Sequence, residues 1–181
     1  IYEKIFRKKI LLILFCFPLI GLGQITYVPD DNFEAYLESN GMGNGIPNDD
    51  YVLTANINTI TFLDVSLKNI VNLTGIEDFT ALTHLFCNDN YYLDDPFNPS
   101  STMFAPPYIS SLDLSQMTNL QVLDCSSIYY LHNIDVSNNT ALTHLNCWYS
   151  SLTSLDVSNN TALLSLWCGD NYLSSLDLSN N

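Results

Sequence analysis

Apolar residues recur along the second half of this chain in a fixed register. Asn139-Thr140-Ala141-Leu142-Thr143-His144-Leu145-Asn146-Cys147 returns 21 positions later as Asn160-Thr161-Ala162-Leu163-Leu164-Ser165-Leu166-Trp167-Cys168. Leu152-Thr153-Ser154-Leu155-Asp156-Val157-Ser158 returns at the same interval as Leu173-Ser174-Ser175-Leu176-Asp177-Leu178-Ser179. Each repeat holds two apolar beats. One reads Leu-x-x-Leu-x-Cys, at Leu82/Leu85/Cys87, Leu120/Leu123/Cys125, Leu142/Leu145/Cys147 and Leu163/Leu166/Cys168. The other reads Leu-Asp-Val-Ser or a close variant, at Leu63, Leu112, Ile134, Leu155 and Leu176. The beats alternate, 11 residues from Leu155 to Leu166 and 10 from Leu166 to Leu176. Apolar and polar residues alternate within each beat, which is the signature of a short strand. A period in the range of roughly 20 to 50 residues predicts a solenoid, in which each coil buries its apolar edge only against its neighbours. The expectation is a β-rich solenoid of short parallel strands, on one face or on both, with turns at the Asn-Asn pairs 138–139, 159–160 and 180–181.

The pattern divides the chain. Residues 1–23 read as a secretory signal: Lys4, Arg7, Lys8 and Lys9 precede an apolar run from Ile10 to Ile20, and Gly21-Leu22-Gly23 offers small residues for cleavage before Gln24. The run is shorter than the roughly 20 apolar residues a membrane helix needs, so no membrane insertion is expected after cleavage. Cys16, followed by Phe17 and Pro18, is poor context for lipid attachment. Residues 24–56 do not repeat. Phe33, Tyr36 and Leu37 fall at helical spacing behind Asp30 or Asp31 as N-cap, and Gly41, Gly43 and Gly45 end the helix. Such a helix would cover the open end of the solenoid as an N-terminal cap. The repeats occupy 57–181. Cys125 to Cys147 is 22 residues and Cys147 to Cys168 is 21, but Cys87 to Cys125 is 38. An insertion at about 91–108 accounts for the excess. It holds Pro96, Pro99, Pro106 and Pro107 among Tyr91, Tyr92, Phe97, Phe104 and Tyr108, and it either forms a contact loop or folds its rings back on the coils. The chain starts at Ile1 and ends inside a repeat without a polar cap, so it reads as part of a longer protein.

Residues Leu163, Leu166, Cys168, Asn171 and Leu173 fit Leu-x-x-Leu-x-Leu-x-x-Asn-x-Leu, so the chain resembles a leucine-rich-repeat protein. The nested 21-residue form, together with "VPDDNFEAYL" and "LTGIEDFTALTHL", is similar to the repeats of secreted Bacteroidetes surface proteins, over residues 27–181. The resemblance implies a cell-surface or secreted location and often a C-terminal sorting domain. Two coils depart from the pattern: Ser150 replaces the consensus Asn, and Ser127-Ile128 disturbs the Cys125 coil. These coils are expected to lack the usual Asn hydrogen bonds.

Charge narrows the partners. Four of the five Lys and Arg precede Gln24, leaving Lys68, while only Glu3 of the 19 Asp and Glu is lost, so residues 24–181 carry a net charge of −17. Phosphate binding needs Lys and Arg, which excludes nucleic acid and disfavours anionic membranes. Cys87, Cys125, Cys147 and Cys168 would stack as a column about 4.8 Å apart. That geometry suits a ladder of small hydrophobes, leaves inter-coil disulfides open, and does not offer zinc a tetrahedron. Asp113, Asp135, Asp156 and Asp177, with Asp64 earlier, form an outward column beside Ser residues. Like charges stacked there repel, so hydroxyls, N–H groups or a calcium ion should offset them; no other cofactor is indicated.

The residues flanking each Cys also point outward: Phe86, Asp124, Asn146, Trp148 and Trp167, with Tyr149, Tyr172, Tyr129 and Tyr130 nearby. Trp148 and Trp167 stand close enough for a diagonal contact. Exposed aromatics beside Asp and Asn suit a protein or glycan partner, or simply cover the sheet. His84, His132 and His144 show neither metal spacing nor a nucleophile partner, and the sequons at Asn72, Asn138 and Asn159 look incidental. The reading is a non-enzymatic, extracellular or cell-surface binding module, adhesive in character. The alternatives are a non-catalytic targeting region of a larger secreted enzyme or a plain spacer.

Overall fold

The computed structural model describes residues 23–90 and 108–181. The signal-like segment up to residue 22 and the insertion at 91–107 lie outside the described residues. Two short strands, β1 (Ile25–Tyr27) and β2 (Tyr51–Leu53), pair antiparallel with Thr26 opposite Val52. Between them lies helix α1 (Asp31–Ser39), and a one-turn helix α2 (Thr54–Ile57) follows β2. The chain then winds through five three-residue strands: β3 (Phe62–Asp64), β4 (His84–Phe86), β5 (Val122–Asp124), β6 (His144–Asn146) and β7 (Ser165–Trp167). They form one parallel sheet in chain order, with Leu63, Leu85, Leu123, Leu145 and Leu166 in register.

The local chemistry of α1 follows its sequence. The Asp30 carboxylate accepts the N–H groups of Asn32 and Phe33 through Oδ1, both at 3.0 Å, and so caps the helix. Its Oδ2 accepts the N–H groups of Val71 and Asn72 at 2.8 and 3.0 Å, tying the helix start to the first coil. The helix ends at Asn40 in a Schellman motif: Gly41 N–H donates to Glu38 and Met42 N–H to Leu37, with Gly41 at φ 73°. The buried faces of Phe33 and Leu37 join the same apolar core as the coils, and Phe33 stacks on Phe79 at 6.3 Å.

Each coil contributes the same inward set. In the three middle coils the central strand Leu and the Leu three residues before it are buried. Ile60 before Leu63 and the Leu163/Leu166 pair of the last coil are only partly so, and Val65, Cys87, Cys125 and Cys147 follow at full or nearly full burial. The four cysteines of the described coils are free. The rungs extend one residue past each strand, because the N–H of Val65, Cys87, Cys125 and Cys147 donates to Phe86, Asp124, Asn146 and Trp167 of the next coil, all at 2.8 Å. On the opposite half, Leu114, Val136 and Val157 and then Ile109, Leu131 and Leu152 close the core.

Two expectations are corrected here. The Leu-Asp-Val-Ser beats at Leu112, Ile134, Leu155 and Leu176 are not strands, while the one at Leu63 lies in β3, so among the described residues the solenoid has a parallel sheet on one face only. Asp113, Asp135, Asp156 and Asp177 each accept the N–H of the Ser two residues on, at 2.9 Å. Asp64 and Asp124 make the same bond at 3.0 Å from the ends of β3 and β5, so this contact shapes the turn that follows a beat and does not decide whether the beat is a strand. Asp64, grouped with that column by its local motif, lies opposite Phe86 in β4 and so belongs to the outer face of the sheet.

Asparagines bind the coils together on their turns. Asn90 donates to Val65 and Cys87 carbonyls and accepts Lys68 and Ile70 N–H; Asn171 donates to Cys147 and Cys168 carbonyls and accepts Leu152 N–H. At the departures noted in the sequence, Ser150 makes a single 3.4 Å bond to the Cys125 carbonyl, and Ile128 is a buried apolar residue with no side chain to donate. A second ladder runs through the Asn-Asn turns. Asn139 donates to Leu114 and Met117 carbonyls, and Asn160 to Val136 and Asn139 carbonyls. Their own Oδ1 atoms are buried without a partner, which reduces the net gain. Replacing Asn160 by Ala therefore should destabilise the fold by about 2 kcal/mol through two stranded carbonyls, measured by urea unfolding followed by circular dichroism. A change under a few tenths would mean that the turn ladder adds nothing.

Candidate functional site

Strand alternation decides what the sheet displays. With the central Leu inward, the residues on both sides of it face outward. The register sets Phe86, Asp124, Asn146 and Trp167 in one row, headed by Asp64. A second row on the same face is Phe62, His84, Val122, His144 and Ser165. Sequence reasoning missed this second row. Phe62, His84 and His144 occupy the position before the inward Leu, and the same alternation that pointed out Phe86 and Trp167 would have found them. A shallow groove of about 330 Å³ runs across the face, lined by His84, Phe86, Asp124, His144, Asn146 and Trp167 among others.

The groove is aromatic at both ends and polar in the middle. Phe62 packs on Phe86 at 5.6 Å and on His84 at 6.1 Å. Asp124 accepts the N–H and hydroxyl of Ser126 at 3.0 and 2.6 Å and the Asn146 amide at 3.0 Å. The Asn146 side-chain oxygen in turn accepts Trp148 N–H at 3.1 Å. These bonds fix the polar groups before any ligand arrives. Thr83 and Thr143 hydroxyls sit 2.9 and 3.0 Å from Nδ1 of His84 and His144, which holds both rings on the face. Trp167 stands 63% exposed at the far end.

Trp148 and Tyr149 do not extend these rows. Trp148 follows Cys147 past the strand, and among the described residues the ring packed on it is Tyr149, at 5.1 Å, rather than Trp167. Trp148 and Trp167 instead line one depression of about 480 Å³ with Asn146 and Gly169. Gly169 makes room for the indole, since a Cβ there would lie 3.1 Å from it. Tyr172 is exposed, apart from the sheet rows, with its N–H bonded to Leu152.

The remaining titratable groups are engaged structurally. Asp135 and Asp156 are held below the ordinary aspartate range by the hydroxyl and N–H of the following Ser, which favour the charged form. For Asp113 the repulsion from Asp135 acts in the opposite sense but is outweighed by Ser115. The hydrogen bonds thus settle the electrostatics of this column. Among the described residues, no group of three or more His, Cys, Asp or Glu is placed to hold a metal ion. No helix among them is long and apolar enough to cross a membrane. Burial pushes the Cys147 thiol up to about 12 and raises those of Cys87 and Cys125 well above the ordinary thiol value. The ladder is therefore protonated and unreactive at neutral pH.

Against solved structures, the functional domain of InlJ from Listeria monocytogenes, described as including a cysteine ladder, superposes with a TM-score of 0.68 at 36% identity, covering 88% of this chain and 32% of that one. The internalin InlF from the same organism gives a TM-score of 0.49 at 22% identity over 85% of this chain and 46% of its own. This chain therefore spans about a third of the length of the InlJ domain that it matches. No protein-family model matches the sequence. No curated protein matches it. The fold is a leucine-rich-repeat solenoid, similar to that internalin domain in both its winding and its column of cysteines.

Two outcomes follow from the side-chain chemistry. At pH 8 the folded chain should leave Cys87, Cys125 and Cys147 unmodified by iodoacetamide while the unfolded chain labels fully; rapid native labelling at these three positions would mean that the ladder opens. Ser137→Ala should raise the Asp135 pKa toward the ordinary value of about 3.9, read by NMR titration of the carboxyl carbon. Because the folded value is the lower one, the bond stabilises the fold above the unfolded pKa, and that contribution is lost as pH falls through the folded value. An unmoved pKa would assign the shift to some other group.

Proposed function

We propose that this chain is an extracellular, non-catalytic leucine-rich-repeat module that binds a protein partner through the outer face of its parallel sheet. The observation that carries this reading is the face itself. Phe62, Phe86 and Trp167 flank a prearranged polar centre of Asp124, Asn146 and two histidines, all mounted on hydrogen-bonded strands. Aromatic anchors around satisfied polar groups form the pattern in which a few side chains dominate an interface. Rigid mounting lowers the ordering cost of association. The likeness to the functional domain of a Listeria internalin supports the same use of the fold. The signal-like segment at residues 1–23 and the resemblance to secreted Bacteroidetes surface repeats support a surface location and an adhesive role. A helix such as α1, whose apolar residues enter the first coil, serves in this reading as the cap of the solenoid. Should a catalytic domain accompany these repeats in a longer protein, the same face would serve to hold that domain near its target.

A photo-crosslinking residue placed at Trp167 should capture the partner, while the same residue at Ser137, on the opposite half, should not. Trp167→Ala and Phe86→Ala should each weaken the captured complex at least tenfold without lowering thermal stability. Equal capture from both positions, or undiminished affinity in both variants, would remove the sheet face from consideration. Capture of glycan in place of protein would assign the face to sugar.

A further inference from the structure

Beyond the sheet, five rings gather in two stacked groups, joined through the sequence neighbours Tyr129 and Tyr130, to form a ridge past the strand ends. Tyr130 stacks on Tyr108 with centroids 4.0 Å apart and planes 18° from parallel. Its sequence neighbour Tyr129 meets Tyr149 edge-on at 5.0 Å, and Tyr149 stacks on Trp148 at 5.1 Å. Tyr129, Tyr130, Trp148 and Tyr149 are each 40–45% exposed, so the rings present their surfaces to solvent instead of filling the core.

The second residue after the inward Val or Cys is left-handed in every coil: Leu67 at φ 58°, Asp89 at 53°, Ser127 at 58°, Tyr149 at 53° and Asp170 at 54°. Asp and Asn accept this conformation at little cost because their short side chains bond locally, whereas bulky residues such as Leu67 and Tyr149 take up strain there. The turn belongs to the winding, and what is particular to this coil is the ring that it carries. The neighbouring coil is lengthened by one residue: Leu131 follows Cys125 by 6 residues, while Leu152 follows Cys147 and Leu173 follows Cys168 by 5. The added residue falls between Ile128 and Leu131, so that two tyrosines stand where the next coil has Ser151 alone.

The charge around the ridge selects its occupant. Residues 24–181 contain 18 acids and one base, and that base, Lys68, lies over the Tyr36 ring in the first coil, 5.8 Å from its centroid. Asp170 occupies the same left-handed position as Tyr149 in the next coil, and the Tyr149 N–H bonds to its neighbour Gly169. Exposed ring faces attract cations through their quadrupole, and an acidic surround raises the local concentration of cations. Arginine suits this combination better than lysine, because its flat, weakly hydrated guanidinium stacks on aromatic rings while pairing with a carboxylate. We infer that the Tyr108–Trp148 ridge is a second contact surface, which takes arginine side chains of a basic segment in a protein partner. The inference rests on the protein-binding reading above but uses different residues, so the two fail separately.

The test uses three synthetic peptides of alternating residue and glycine, bearing arginine, lysine or the uncharged isostere citrulline, together with a neutral oligosaccharide. Binding is followed by titration calorimetry at low and physiological salt. The arginine peptide should bind most tightly, the citrulline peptide should lose at least tenfold, and affinity should fall with salt. Tyr149→Asn keeps the net charge and relieves the strain. It should weaken arginine-peptide binding at least fivefold while leaving the melting temperature equal or higher. Tyr130→Ala, away from the strained position, should weaken binding comparably. Phe86→Ala and Trp167→Ala should leave this binding within twofold, which separates it from the sheet face. Arginine-peptide binding that is indifferent to Tyr149→Asn and Tyr130→Ala would reduce the effect to net charge and overturn the inference. Ridge-dependent binding of the oligosaccharide that ignores salt, with no preference for arginine, would overturn it in favour of a glycan.

Discussion

A three-residue strand cannot hold itself together, and every coil of this protein contains one. Each depends on the strand before and after it for its backbone partners and for cover over its central leucine. The fixed parallel register is therefore the constraint on which the rest hangs. A slip by one residue would turn Leu85, Leu123 and Leu145 outward and bring Phe86, Asp124 and Asn146 into the core. The rung that continues through the N–H of the inward Val or Cys helps to prevent this, by adding a further backbone bond to each step.

The same constraint explains why small sulfur side chains recur. Coils stacked at strand spacing leave little lateral room at the bend that follows each strand, and Cys fills it as a compact apolar group. Its burial keeps the thiols protonated, so the column serves packing. Asparagines perform the complementary task on the turns, where the carbonyls of one coil would otherwise be buried without donors. Ser150 and Ile128 interrupt that ladder, and in the Ile128 coil the chain also lengthens by a residue where the exposed tyrosines gather. The least regular region of the winding is therefore also the one that carries an aromatic ridge. Natural proteins set aside local regularity in this way at functional positions.

Acidity has two separate consequences. Within the Leu-Asp-Val-Ser column the carboxylates are locked into bends by serine donors and settle the local backbone. On the sheet face Asp124 lines the same groove as Phe86 and Trp167, where negative charge shapes what can approach. The residue type is the same in both places, and only the partner across the coil distinguishes the two uses.

The repeat, the inward cysteines, the Asp30 cap and the absence of a basic surface were all legible in the sequence, because each depends on spacing, local hydrogen bonding or charge count. Alternation also pointed Phe86, Asp124, Asn146 and Trp167 outward correctly. What it could not supply was the neighbour. The Leu-Asp-Val-Ser beat alternates like a strand, but only the Leu63 beat lies in the sheet, because pairing with the neighbouring coil, and not the beat itself, makes a strand. Asp64 matches that beat by motif, yet it pairs with Phe86 because register, and not local sequence, assigns a residue to a column. His84 and His144 looked idle along the chain and become groove walls only once the strands are set side by side. The left-handed strain at Tyr149 and the joining of Tyr108 to Trp148 through Tyr130, Tyr129 and Tyr149 likewise appear only in three dimensions. Sequence by itself determined the period and which side chains face in, since both follow from covalent geometry along one coil. Tertiary structure alone decided which outward residues meet, since that depends on the stacking of separate coils.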